Sequence, residues 1–559
     1  MYSTTDQAMN TVPTATAYLH DQPGSPVRAR DVVCLICWLL TCGGLMFWRS
    51  FHVAYGFDDI AHLHALASLR AGEVSFTTWF FYQHNEHIVP LLRLYFMAAT
   101  KISGLSSSAM HVLIFLNYII GAFACAWMMF SLTRSRSSAF LAGTICSGAG
   151  GFAGSVVWQP TVAQFSVAGT PLLLAIAIVV SPSARKRWTD ALVLLLIVLS
   201  AMAMGATAVA ALSIPLYLFL AKPETISVGR RRWMIAFTLL LSAVLLLATR
   251  WLMSVHGVQP PRFAMKGIYD GLFLIFVTPG RFLLAWTPFG IFSVPVDIAV
   301  SLAGWVLLLL TARWISPPLR LLLLALWVGD GLLALTIGMG RYKIATFPDL
   351  FDTGRYHYFF LFPLALHVAV ALDHVTRGLL QGASPSRKFA VAGVLSCLML
   401  AALVMSNIRL QKEMLWWVIV QHQQEFREAK VLAKIVRQTA AKQNLHLVDG
   451  TVRFPGGLNL HLGLSCIVFT QFPKGLSGVV WNLSKSPTFA VGWPYEVQPI
   501  SDADAAVQNQ IFDEWAKKIN RSPYSCVIGG RIRDVLPVKS CAEAAKMSPP
   551  PIAPPRPFN

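Results

Sequence analysis

The chain has 559 residues, 55% of them hydrophobic and 13% charged, with a formal net charge of +19. So little charge cannot cover a soluble protein of this size, which excludes a simple globular enzyme. The positive balance does not point to nucleic acid either, because Lys and Arg gather in short loops between apolar runs and no nucleic-acid-binding motif occurs.

Residues 1–30 are polar, rich in Ser, Thr and Pro, and are expected to form a disordered cytoplasmic tail. Apolar runs of roughly 15–22 residues then recur to about position 406, as membrane-spanning helices do. The first, near 31–50, is too long and too far from the start for a cleaved leader, and no small-residue cleavage site follows it. The stretch 51–107 is then an outer loop. It opens on adjacent carboxylates, Asp58 and Asp59, and continues through Trp79, Phe80, Phe81 and Tyr82 to a polar knot of His84, Asn85, Glu86 and His87. Residues 88–103 are apolar but carry Arg93 and Lys101, which suits a helix lying along the membrane surface.

Further spans are expected at 108–130, 138–156, 161–180, 189–203, 205–221, 234–253, 285–310, 321–338, 356–373 and 389–406, making about eleven in all. The loops with Arg134 and Arg136, with Arg185 to Arg187, with Lys222 and Arg230 to Arg232, with Arg313 and Arg320, and with Arg377, Arg387 and Lys388 then share one face. The positive-inside rule makes that face cytoplasmic, with the N-terminus on the same side.

Two more outer loops are long and polar. Residues 254–284 hold His256, Arg262, Lys266, Asp270 and Arg281, and residues 339–357 hold Arg341, Lys343, Asp349, Asp352, Arg355 and His357. Cations on the outer side run against the topological bias. They either meet lipid headgroups or bind an anionic group, for which the planar fork of Arg is suited.

After residue 406 the composition turns polar. A charged helical stretch at 408–442 precedes short apolar runs at 445–448, 466–470 and 479–483, which reads as a small soluble α/β domain over 407–547, outside the membrane. A Pro-rich tail closes the chain at 548–559. Of the outer-domain cysteines Cys466, Cys526 and Cys541, the simplest disulfide on an oxidising face is Cys526–Cys541.

Several residues admit two readings. Neighbouring carboxylates on a helix or strand point in different directions, so one aspartate of the 58–59 pair can act as a base while the other binds the acceptor or caps a helix over 60–69. His84, Glu86 and His87 can hold a divalent metal ion, with His62 and His64 near in sequence, although their spacing is not a strong ligand signature. Glu86 can instead be a second acid that orients an acceptor, or the knot can simply hydrogen-bond at the interface. The aromatic run 79–82 fits an interfacial belt better than a sugar-stacking platform. The glycines between 143 and 154 fit close helix packing, since no phosphate-binding loop pattern is present.

An uncleaved first span, an outer loop opening on an acidic pair, an aromatic- and proline-containing interfacial helix, and GRYHYFFLFPLAL at 354–366 together resemble the GT-C superfamily of membrane glycosyltransferases. The protein O-mannosyltransferases and bacterial aminoarabinose transferases belong to it. The resemblance covers roughly 31–406 and departs at 84–90, which reads HNEHIVP where many relatives have His-Pro-Pro-Leu.

The resemblance implies a polytopic α-helical protein of the bacterial inner membrane. It would pass a sugar from a polyprenyl-phosphate donor to a hydroxyl on a glycan, lipid or protein at the outer face. A carboxylate takes the acceptor proton; Asp58 leads over Asp59 because the first acid of the pair usually leads in such proteins. The departing lipid phosphate needs positive charge, which Arg341, Lys343, Arg355 and His357 offer. His84 and His87 are expected to contact substrate, and a divalent metal ion is the one cofactor suggested. The rival reading is a transporter or flippase for a lipid-linked or anionic substrate, which would place ionisable groups mid-span and show internal repeats. A non-catalytic lipid-binding membrane protein is a third, in which no single carboxylate matters.

Overall fold

The computed structural model describes residues 29–414 except 54–58, 60–61, 64, 67–68, 70–73, 82, 85–86, 104–106, 151, 153–156, 159, 182–185, 187, 225, 256–264, 288–293, 342–353 and 382–383. Beyond Met414 it describes only 450–454, 458–463, 466–470, 490–492, 526–528 and 536–538.

The helices run in chain order as α1 (Ala29–Phe47), α2 (Phe76–Phe81), α3 (Pro90–Ser103), α4 (Ser108–Thr133), α5 (Arg136–Gly148), α6 (Gln164–Val180), α7 (Trp188–Ala203), α8 (Thr207–Ala210) and α9 (Ser213–Ala221). They continue as α10 (Val228–Val255), α11 (Met265–Leu284), α12 (Val294–Thr311), α13 (Pro317–Arg341), α14 (Leu361–Leu380) and α15 (Pro385–Met414). Prolines open α3, α13 and α15, where the missing N–H costs nothing. Between α4 and α5 the chain turns on Arg134 at φ 56°, and Ser135 then caps α5 by accepting the Ser138 N–H.

Among the described residues, seven helices are long and apolar enough to cross a membrane: 29–51, 108–133, 228–252, 265–284, 295–314, 317–340 and 355–380. Shorter apolar helices cover 164–180, 188–203, 207–221 and 397–410. Leu240, Leu247, Trp251, Leu309 and Leu398 lie fully outward, more than half exposed. Such surface suits hydrocarbon rather than water, and a helix satisfies its own backbone there. The chain is an integral membrane protein.

Side-chain contacts sort the connections into two ends. At one end the hydroxyls of Ser135, Ser137 and Ser138 donate to the Asp373 carboxylate at 3.0, 2.6 and 2.6 Å, and Arg377 pairs with it at 3.2 Å. Arg136 approaches Asp31 at 3.5 Å, Trp314 stacks on His374 at 4.7 Å, and Arg230 Nε donates to Asp190 at 2.7 Å. These contacts join the loops at 134–136, 313–320 and 377 to one another, and the loop at 185–187 to that at 222–232. At the opposite end Ser107 donates to the Val53 carbonyl, and Asn407 donates to the Leu45 carbonyl at 2.8 Å.

The expected polar loop 254–284 does not form as such, nor does a single span at 285–310. Residues 265–284 are helical, and α12 begins only at Val294. The isolated polar residues Lys266, Asp270 and Arg281 are diluted among Leu, Ile and Phe, so the helical apolar pattern prevails. Both halves of α11 nonetheless touch the end opposite Asp373. Gly267 and Gly271 pack against Met339 and Leu335 in the last turns of α13, while the Leu284 carbonyl accepts from Arg409, two residues beyond Asn407. Between those contacts α11 runs alongside α13 and α12, with Ile275 against Gly331 and Pro279 against Gly304.

Helix α3 lies within the expected interfacial segment, but Arg93 is turned inward at 1% exposure. Trp79 is likewise buried at 1% exposure, so it does not belong to a surface belt, whereas Phe76 is half exposed. The glycines do mediate close packing: a Cβ on Gly143 would meet Leu39 and Ala126. Six cysteines, Cys34, Cys37, Cys42, Cys125, Cys146 and Cys397, are free thiols on apolar helices.

In the C-terminal region the described residues form two three-stranded sheets. Strands β3 (Gly450–Phe454), β4 (Leu458–Gly463) and β5 (Cys466–Thr470) make an antiparallel meander. In the other, β7 (Cys526–Ile528) pairs parallel with β6 (Ala490–Gly492) and antiparallel with β8 (Leu536–Val538). Cys541, the tails 1–28 and 548–559, and most of the helix expected at 408–442 lie outside the described residues.

Candidate functional site

The polar chemistry of the end opposite Asp373 is drawn together by the segment 149–165 between α5 and the start of α6. Thr161 holds Asp59: its backbone N–H and its hydroxyl both donate to one carboxylate oxygen, at 2.7 and 2.6 Å. Trp158 gives its carbonyl to His111 Nε2 at 3.2 Å. Phe152 lies 6.0 Å from the His357 ring, and Phe165 packs edge-on against Tyr356 at 5.9 Å. One connection thus ties the first expected outer loop to the Gly354–Phe360 turn.

Asp59 is 3% exposed and one of its oxygens is engaged by Thr161. Two hydrogen bonds to one oxygen of this buried carboxylate fix its position. Asp58, Glu86 and Lys343 lie outside the described residues. His84 and His87 are described by backbone alone: they are register partners in the two-residue strands β1 (Gln83–His84) and β2 (His87–Ile88), with residues 85 and 86 between them in sequence. Arg341 ends α13 and is also described by backbone alone. Among the described residues, no cluster of three or more His, Cys, Asp or Glu could hold a metal ion.

His357 is buried and its Nδ1 lies 2.7 Å from Thr278 Oγ1. That hydroxyl has one proton, and it goes to the Leu274 carbonyl at 2.7 Å. This arrangement suits a ring that donates from Nδ1. Nε2 is left with the lone pair in the neutral ring, or with the second proton in the imidazolium. Arg355 is half buried, with its guanidinium 4.9 Å from the centre of the Tyr356 ring. The end thus presents a fixed carboxylate on one side of the 149–165 strap and a cation with an oriented imidazole on the other.

Sequence reasoning missed three contributors. Arg93 lies 6.0 Å over the Trp79 ring, and His62, three positions after Asp59, stacks on Phe96 of α3 at 4.8 Å. Thr161 and Thr278 carried no pattern beyond a Pro-Thr pair and a lone hydroxyl in an apolar run. The carboxylates were also expected in loops alone, yet Asp330 is buried midway along α13, and Asp297 lies 3.7 Å from Arg281 between α12 and α11.

No family model matches the chain, and no curated protein matches it. Solved structures do. The crystal structure of ArnT from Cupriavidus metallidurans bound to undecaprenyl phosphate aligns over 93% of this chain and 96% of its own, with a TM-score of 0.51 at 14% identity. The same protein in its apo state aligns over 89% and 92%, with a TM-score of 0.47 at 13% identity. The archaeal oligosaccharyltransferase AglB from Archaeoglobus fulgidus, in complex with an inhibitory peptide and a dolichol-phosphate, aligns over 68% of this chain and 55% of its own, with a TM-score of 0.41 at 14% identity. The first likeness spans nearly both chains and shows the fold, which is GT-C-like.

Proposed function

We propose that this chain is a membrane glycosyltransferase of the GT-C type, which moves a sugar from a polyprenyl-phosphate donor to an acceptor hydroxyl outside the cytoplasm. The observation that carries the reading is the convergence, through residues 149–165, of the acidic-pair loop at Asp59 with the Arg355–His357 turn at one end of an ArnT-like bundle. That ArnT structure holds undecaprenyl phosphate, which is the donor-side chemistry proposed for this chain.

The division of labour follows from the geometry. Asp59 is committed to Thr161, which favours Asp58 as the base that takes the acceptor proton as the new glycosidic bond forms. The breaking bond leaves its electron pair on the lipid phosphate, already a stable anion that needs cations rather than an acid. Arg355, Arg341 and Lys343 supply positive charge, and His357 offers Nε2 to a phosphate oxygen when protonated. His84, Glu86 and His87 form the acceptor side, and a divalent ion held there would add Lewis-acid charge. The basic-loop end is cytoplasmic, in a bacterial inner membrane. Eleven helices cross, α11 being tucked into the outer half, and 407–547 forms an α/β domain outside.

The rival transporter reading draws support from Asp330, a carboxylate buried mid-helix. One assay separates them. Purified protein is given polyprenyl-phosphate sugars with candidate acceptors, and wild type is compared with Asp58→Asn, Asp59→Asn and Glu86→Gln. Covalent transfer lost in Asp58→Asn supports the glycosyltransferase. Movement of labelled lipid across vesicles, without transfer and dependent on Asp330, supports the transporter.

A further inference from the structure

A cleft of about 840 Å³ runs along the bundle between α1, α4, α5, α14 and α15. Its walls are aromatic and aliphatic, Phe130, Phe140 and Leu398 among them, and the latter two side chains are exposed rather than packed away. At the Asp59 end it closes on Trp286, beside the Leu284 carbonyl that Arg409 holds. At the other end it reaches Asp31, Arg136, Ser137 and Asp373, the residues that knit the basic loops.

An apolar cleft of this size inside a bilayer matches the volume of an ordinary ligand site, and water would gain nothing there. Its polarity is one-sided. Three guanidinium groups, Arg30, Arg136 and Arg377, meet two carboxylates, Asp31 and Asp373, at that rim, leaving an excess of positive charge. Arg30 and Arg136 remain 70% and 47% exposed in their side chains. A hydrocarbon tail in the cleft would therefore carry its head, and an anionic one, at the basic-loop end.

We infer that this cleft is a binding site for one anionic phospholipid of the leaflet at the basic-loop end, with its acyl chains between α1, α5 and α15 and its phosphate at Arg136. The lipid is distinct from a donor serving the Asp59 end, because a polyprenyl phosphate reacting there would place its phosphate at the far end of the cleft. The lipid would lie alongside α15 below the point where Ser406 and Asn407 join it to α5 and α1.

The test is native mass spectrometry of the full-length protein, delipidated in detergent and titrated with dioleoylphosphatidylglycerol, dioleoylphosphatidylcholine or undecaprenyl phosphate. Leu398→Trp fills the cleft from an outward position and keeps the helix intact. Arg136→Gln removes the head contact. The expected result is one phosphatidylglycerol per chain, bound at least tenfold more tightly than phosphatidylcholine, with Arg136→Gln erasing the preference and Leu398→Trp lowering binding of both. Equal affinity for the two phospholipids in wild type overturns the assignment, as does unchanged phosphatidylglycerol binding in Leu398→Trp. If Leu398→Trp displaces undecaprenyl phosphate and leaves phosphatidylglycerol in place, the cleft serves the donor tail and the inference fails. Circular dichroism of both variants confirms that they fold. Sugar transfer is not part of the readout, so the outcome is independent of the proposed activity.

Discussion

Replacing Thr161 and the two neighbouring aspartates one at a time separates a carboxylate that positions from one that reacts. Thr161→Val keeps the side-chain shape and the backbone N–H bond of 2.7 Å, and removes only the hydroxyl bond of 2.6 Å to Asp59. A hydrogen bond to a charged group contributes about 1.5–3 kcal/mol, and Asp59 is too buried for water to replace the lost donor. The variant should therefore lose about 2 kcal/mol, read as a fall of several degrees in Tm in detergent. Asp59→Asn keeps an oxygen that accepts from both Thr161 donors and loses the charge assistance of those two bonds, about 1 kcal/mol. Its transfer rate should stay within about tenfold of wild type. Asp58→Asn should leave Tm unchanged and lower the rate by about 10²–10⁴, the usual contribution of a general base. The reverse pattern, with Asp59→Asn inactive and Asp58→Asn near wild type, would refute the assignment of roles.

His357→Phe should raise KM for the polyprenyl-phosphate donor by about tenfold, corresponding to one lost hydrogen bond to a charged oxygen, and Thr278→Val should do the same in part by releasing Nδ1; an unchanged KM in both removes the imidazole from the donor site. Gly271→Ala places a Cβ 2.7 Å from Leu335 Cα and 2.9 Å from the Ala334 carbonyl, both backbone atoms, and should cost about 1–3 kcal/mol of stability by prising α11 from α13; a Tm equal to wild type would show that this helix pair is not close-packed. At the basic end, a double-mutant cycle of Asp373→Asn with Ser138→Ala should give a coupling energy of about 0.5–3 kcal/mol. That coupling should appear in Tm while the transfer rate of each folded variant is unchanged, and simple additivity would break up the network.

Much of the membrane domain was legible because hydrophobic runs of helical length have few alternatives in lipid, where every backbone group needs an internal partner. The expected spans at 108–130, 321–338 and 356–373 sit inside observed helices. The acidic pair stood out in the sequence because an ionisable group at the membrane edge is costly without a partner. The partner itself was not readable: Thr161 stands 102 positions away, and nothing local marks it. The same holds for Thr278, 79 positions from His357. Helix α11 was misread because scattered charges in a window of modest hydropathy, 1.3, look like a loop until a neighbouring helix buries them.

Sequence alone determined that this chain lives in a membrane, how its basic loops alternate with its apolar runs, and which polar segments carry carboxylates and cations. Those properties are set by composition and by periodicity over a score of residues. The tertiary structure decided which loops share an end, that Asp59 is clamped by Thr161, that Thr278 orients His357, and that an apolar cleft runs beneath a basic rim. Such pairings join residues far apart in the chain, and they exist only once packing has fixed the helices against one another.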